Sequence, residues 1–137
     1  MNSKDNFVEK LRNSGLRPTK QRIKICEVLF NNYKTFHFTI NELSKIIAEK
    51  IEEKISLATI YNTVHAFKKE GYLKEISINT DKSYFDTNTS HHHHFFDNLT
   101  KELTDLNNED VEKIQINKSL PGKKISSVEI LVKVENE

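Results

Sequence analysis

The sequence is poor in the residues that staple, break or bend a chain. In 137 residues there are one cysteine, two prolines, three glycines and no tryptophan. The lone Cys26 excludes an intramolecular disulfide framework and any Cys-x-x-Cys zinc site. Ile23, Cys26, Leu29 and Phe30 fall on one helical face, so Cys26 reads as a small core residue. Few breakers, with 36% hydrophobic and 30% charged residues, describe an ordered and largely helical globular chain. Met1-Asn2-Ser3-Lys4-Asp5 opens no apolar signal segment, and no run approaches the roughly 18 apolar residues that span a bilayer. A cytoplasmic protein with no membrane partner is expected.

A net charge is nearly lacking too, at +1, but that value hides two unlike halves. Residues 1–83 hold 15 Lys and Arg against 10 Asp and Glu, whereas residues 84–137 hold 6 against 10. A basic half suits a polyanion, and an acidic half with clustered histidines suits a cation.

Hydrophobic spacing predicts four helices and then strands. Phe7, Val8, Leu11 and Leu16 mark a first helix ended by Gly15, and Pro18 opens a second over Ile23, Cys26, Leu29 and Phe30. Thr39 with Glu42 forms a capping box for a third helix that buries Leu43, Ile46 and Ile47. Ser56 caps a fourth, with Leu57, Ile60, Val64 and Phe67 as its apolar stripe and Gly71 at its end. The period then changes: residues 72–78 and 82–85 read as strands around a turn at Asn79-Thr80-Asp81. This order predicts an α+β protein, with a winged-helix DNA-binding domain over residues 1–85. Residues 86–137 read as strands at 92–96 and 101–105, a helix at 108–117 and a strand at 125–134. So small an α/β unit, below roughly 60 residues, is expected to dimerise.

In a winged helix, the helix before the wing reads the major groove. Here Ala58, Asn62, His65, Ala66 and Lys69 lie opposite the apolar stripe, flanked by Thr59 and Tyr61. Asn suits adenine, and the carbons of Ala, Thr or Tyr suit thymine methyls. Arg17, Lys20, Arg22, Lys68 and Lys69 suit phosphates, although a merely solvated helix face has the same composition.

His91, His92, His93 and His94 are consecutive in mid-chain, away from the termini where a purification tag sits. On an extended backbone His92 and His94 point one way and His91 and His93 the other, so one strand can feed two sites. Imidazole with carboxylate suits Fe, Zn or Mn, and imidazole also serves haem iron. Asp86, Asp105, Glu109, Asp110 and Glu112 supply carboxylates.

Four separated segments carry a resemblance. They are Gly15-Leu16-Arg17-Pro18-Thr19-x-x-Arg22, His37-x-Thr39-x-x-x-Leu43, Ser56-Leu57-Ala58-Thr59-Ile60-Tyr61-Asn62-Thr63, and the run from Tyr84 to His94. Together they resemble the ferric uptake regulator (Fur) superfamily over residues 7–135, and the Asn-Thr-Ser-x-His-His-His-Phe-Phe run resembles its iron response regulator (Irr) branch. The resemblance implies a homodimeric repressor of iron and haem genes on a double-stranded DNA operator, and no enzyme. It implies a regulatory metal site of His37, Asp86, His92, His94 and Asp105, and a second metal or haem site of His91, His93 and Glu112, with Glu129 where relatives have a histidine. It also implies DNA contacts through Arg17, Lys20, Arg22, Ser56, Ala58, Thr59, Tyr61 and Asn62, with Arg17 in a minor groove and Tyr61 on thymine methyls. Asn62 stands where an arginine is common, which points to a different operator.

Many relatives hold a structural zinc through two Cys-x-x-Cys pairs. Asp97 and Thr100 occupy the first pair's positions here, so no structural zinc is expected. The Cys-Pro haem motif is also missing, since Glu27 follows Cys26, and haem would have to use the histidines. The expected mechanism is a population shift, in which a cation fixes the reading arms and haem releases them. The rival within the superfamily senses free Fe2+, Mn2+ or Zn2+ directly, without haem. A metal-dependent hydrolase is the rival from another class, disfavoured by the lack of a Gly-rich substrate loop or an activated nucleophile.

Overall fold

Capping chemistry sets the helix ends in the computed structural model, which describes residues 3–31, 34–51 and 53–137. Helix α1 is Ser3–Asn13, and α2 is Lys20–Phe30. The N-cap of α2 is Thr19, whose hydroxyl accepts from the Arg22 N–H at 3.3 Å. Pro18 therefore precedes the cap instead of opening the helix as expected: a threonine hydroxyl can satisfy an orphan N–H and proline cannot. Helix α3, Ile40–Lys50, has the reciprocal capping box of Thr39 and Glu42. Helix α4, Leu57–Glu70, starts on the Ser56 hydroxyl and stops at Gly71, whose φ of 90° is left-handed backbone that a side chain disfavours.

These helices converge on one core. Leu11, Ile25, Leu29, Leu43, Ile47, Ile60, Val64 and Phe67 are buried there. One member of the stripe expected on α4 is not, since Leu57 is 50% exposed where the first turn of the helix overruns the core, and on α3 Ile46 is only half-buried, while Thr63 is buried. Thr63 tolerates burial by donating its hydroxyl to the Thr59 carbonyl at 2.7 Å.

Strand β1, His37–Phe38, was too short for the periodicity to reveal. It pairs antiparallel with β3, Lys82–Asp86, and β3 pairs with β2, Lys74–Asn79, giving the order β1-β3-β2. Asn79 pairs with Lys82, so the wing's turn is narrower than the expected three residues.

The chain divides into two compact units, residues 1–89 and 90–137. Because β3 runs through Asp86, that residue belongs to the first unit, not to the second as the 85/86 boundary had it. In the second unit β4, His93–Asp97, lies between β5, Leu103–Leu106, antiparallel, and β6, Leu131–Val134, parallel. The helix expected over 108–117 is only a 3-10 turn at Asn108–Asp110, and the last strand is shorter than expected. Ile114 and Ile116 are exposed, and a helix of that length without a packed face is marginal in water. Among the described residues only Phe96 and Leu103 of this unit are buried hydrophobics.

Candidate metal centre

Because β4 is extended, the histidines separate by parity. The His92 and His94 rings lie 4.4 Å apart on one side, and His91 and His93 lie 5.1 Å apart on the other. Register then selects the carboxylate: His94 stands opposite Asp105 across β4 and β5. His92 Nε2 is 3.5 Å from Asp105 Oδ1, and His94 Nε2 is 3.4 Å from the same oxygen. His92 and His94 are only 5% and 3% exposed, whereas the Asp105 side chain is 46% exposed.

The hydrogen bond behind His92 decides what its other nitrogen can do. His92 Nδ1 lies 2.7 Å from the Ser90 carbonyl oxygen, which only accepts, so Nδ1 carries a proton and in the neutral ring it is Nε2 that presents the lone pair. That is the tautomer a metal-ligating histidine uses, with a backbone carbonyl holding its other nitrogen. Ligands about 2.0–2.1 Å from a tetrahedral ion stand roughly 3.4 Å from one another. The observed 3.4 and 3.5 Å match that spacing, and a nitrogen and oxygen donor set suits Zn2+, Fe2+ or Mn2+.

The first unit assembles the other expected ligands by register. His37 on β1 stands opposite Asp86 on β3. Asp86 is 1% exposed and accepts the Asn88 N–H at 2.9 Å, and a carboxylate buried so far from water requires compensation. His37 lies edge-on to Tyr84 at 6.3 Å.

The His91 and His93 side is already engaged with the protein. His91 Nε2 meets the Val128 carbonyl at 2.8 Å and its Nδ1 meets Asn108 Oδ1 at 3.1 Å, while Asn108 Nδ2 donates to the His91 carbonyl at 2.7 Å. His93 Nδ1 accepts from the Ile130 N–H at 3.0 Å. Glu112 lines the same groove, and exposed Glu129 sits between Val128 and Ile130. No sequence signal pointed to Asn108 or to the Ser90 carbonyl, because backbone acceptors leave no trace in composition. The Asp97 carboxylate accepts the N–H groups of Leu99 and Thr100 at 2.8 and 3.1 Å, building the β4–β5 turn. Those bonds, from Thr100 first and then Leu99, hold its carboxyl below the usual range.

Along the expected reading surface, Ala58, Tyr61 and Asn62 are exposed on α4, and Thr59 is half-buried. Ser56 is spent on its cap. Arg17 is exposed, Arg22 donates to the Arg17 carbonyl at 3.0 Å, and Lys20 lies 3.6 Å from Glu53.

Four helices and a hairpin, with a second unit presenting two imidazoles and a carboxylate to one point, define a metal-responsive transcription regulator. The chain belongs to the ferric uptake regulator family, whose profile matches residues 13–133. It is 34% identical over 106 residues to the ferric uptake regulation protein of Yersinia pestis, covering 77% of this chain and 70% of that one. It is 31% identical over 108 residues to the peroxide-responsive repressor PerR of Staphylococcus epidermidis, covering 79% and 70%. The fold matches the Vibrio cholerae ferric uptake regulator with a TM-score of 0.72 at 23% identity, over 94% of this chain and 98% of that one. It matches the Pseudomonas aeruginosa ferric uptake regulator with manganese at 0.71 and 21% identity, over 96% and 98%. Family members are transcription regulators rather than enzymes. No described helix is long and apolar enough to cross a membrane.

Proposed function

We propose that this chain is a dimeric repressor whose hold on its operator is set by a divalent cation bound through His92, His94 and Asp105. The observation that carries the reading is the pair of distances, 3.4 and 3.5 Å, from two buried imidazole nitrogens to one carboxylate oxygen. His37 and Asp86 complete the ligand set in this proposal. Asp86 is tethered to His92 by only six residue steps, at most about 21 Å of extended chain. A cation held by these residues would supply the positive charge that their carboxylates and imidazoles call for, and its occupancy would bias the arrangement of the DNA-reading surface. That surface is Arg17, Lys20 and Arg22 on phosphates, with the start of α4, from Ser56, Ala58 and Thr59 to Tyr61 and Asn62, against base edges.

Direct sensing of a free cation is the reading preferred over haem. His92, His93 and His94 are each no more than 5% exposed, and both ring nitrogens of His91 are hydrogen-bonded, so none presents the open face an axial haem ligand needs. The set of His91, His93, Glu112 and Glu129 is proposed as a secondary site. A cation entering it displaces the Val128 or Asn108 bond of His91.

The test is salt-matched DNA binding of the full chain with Mn2+, Fe2+, Zn2+ or haem, after selection of a duplex from a randomised pool. Metal-dependent retention that disappears in His92→Ala and Asp105→Ala supports the proposal. Binding indifferent to every cation, or released only by haem with a matching shift in the haem spectrum, refutes it.

A further inference from the structure

The reading helix carries a ring contact that spacing alone did not disclose. Tyr61 and His65 are one turn apart on α4, and their rings stack at 4.1 Å with planes tilted by 38°. His65 lies in turn edge-on to Phe85 of β3, at 5.5 Å and 77°. Phe85 is 2% exposed, pairs with Phe38 across β1 and β3, and stacks on its ring at 6.1 Å. One end of this ring series is therefore anchored in the first unit's core. The other end, Tyr61, is 51% exposed on the surface offered to DNA.

Beside the series is an open hollow of about 620 Å³, bordered by Tyr61, His65, Glu75, Lys82 and Phe85. It leaves open space beside the Tyr61 ring. The His65 ring is the group that closes that flank, because an i+4 side chain on a helix leans back over the preceding turn.

We propose that His65 is a positioning residue for sequence reading: it pins the Tyr61 ring between itself and solvent, with Phe85 as the fixed wall behind. This rests on the DNA-reading role of Tyr61 proposed above. Ordering one such side chain at an interface costs about 0.5–1.5 kcal/mol, or roughly a two- to tenfold change in affinity. His65 places that cost in folding, before DNA arrives.

The experiment uses the full chain, in whichever of its Mn2+-loaded and chelated forms selects a duplex, and replaces each thymine of that duplex in turn by deoxyuracil. Losing the methyl that Tyr61 covers weakens wild-type binding, and Tyr61→Ala abolishes the sensitivity at that thymine alone. His65→Ala and His65→Gln are expected to lower affinity about two- to tenfold and to shrink the thymine-to-uracil ratio at the same thymine. The salt slope stays unchanged, and His65→Phe restores the ratio. Thermal unfolding of each variant checks the fold, and a merely structural role would weaken thymine and uracil duplexes equally. A wild-type ratio in both His65→Ala and His65→Gln overturns the proposal while leaving the Tyr61 reading intact. A wild-type chain blind to every methyl, or a Tyr61→Ala variant that keeps the ratio, overturns both.

Discussion

Asp105→Asn is the most informative single substitution, because it keeps the shape of the side chain and removes the charge that two buried imidazoles share. A cation that binds only the folded chain stabilises it by about 2.7 kcal/mol at a hundredfold excess over its dissociation constant. For a chain of this size that raises the melting temperature by roughly 10 °C, at about 4 °C per kcal/mol. His92 Nε2 and His94 Nε2 both face Asp105 Oδ1, so turning this carboxylate into a neutral, weakly coordinating amide undoes the common point of the cluster. A hundredfold weaker site leaves about 0.4 kcal/mol at the same metal concentration, or some 1–2 °C. Without metal the substitution should cost little, since the Asp105 side chain is 46% exposed and exposed ion pairs contribute about 0–1 kcal/mol. Calorimetric melts of both proteins, with and without Mn2+ or Zn2+, read this directly. A variant that keeps the full metal-induced rise would show that the cation binds elsewhere and that the 3.4 and 3.5 Å geometry is incidental.

Gly71→Ala forces a side chain into left-handed backbone at the end of α4 and should cost about 1–2 kcal/mol in denaturant unfolding; an unchanged midpoint would contradict this. Burial pushes the Cys26 thiol up to about 12, so alkylating reagents at neutral pH should modify it only as fast as the chain unfolds. Labelling of the native protein at the rate of a free cysteine would refute that. Glu75 is held below its ordinary value of 4.5, first by the Ser83 hydroxyl at 2.7 Å and then by Lys68 at 3.2 Å. Its contribution is present above the unfolded value and lost as pH falls through the lower folded one. Glu75→Gln should therefore destabilise by under about 1 kcal/mol at neutral pH, and match wild type once the pH has fallen below the lowered folded value. Equal losses at both pH values would show that the ionised carboxylate is not responsible.

Where local chemistry decides the structure, the sequence was readable. Thr39 with Glu42, Ser56 and Gly71 cap their helices as their side chains dictate, and the histidine parity follows from the two-residue period of a strand. Strand β1 escaped notice because two residues carry no period, and its pairing is what sets His37 opposite Asp86. Residues 108–117 misled because Val111 and Ile114 mimic a helical stripe, whereas Val111 is only half-buried and Ile114 exposed, too little burial to hold a helix of that length. Leu57 misled for the reverse reason: it keeps the period of the stripe but lies past the edge of the core. His65 was visible only as one polar residue on a wet face. Its neighbour Phe85 lies 20 positions away, and tertiary contacts of that kind leave no periodic mark.

The second unit joins sensing to folding more tightly than its size alone requires. A chain with one cysteine cannot build a four-cysteine staple, and Asp97 spends its carboxylate on two backbone N–H groups of a turn. Phe96 and Leu103 are the unit's buried hydrophobics among the described residues, while Leu99, Ile114, Ile116, Leu120 and Ile125 face solvent. So little core leaves a unit of this size close to the limit of independent stability. Two further sources of free energy are open to it: a second copy covering the exposed isoleucines and leucines, and a cation joining His92 and His94 on β4 to Asp105 on β5. Under the proposed function the cation that signals is then also one that folds, because a site assembled only in the native state adds its binding energy to stability. Stripping the metal should loosen the β4–β5 pairing itself, and hydrogen exchange at Phe95 and Thr104, facing residues of that ladder, should quicken as metal is withdrawn. Exchange there that ignores the metal would separate sensing from folding and leave association of two copies as the stabilising term.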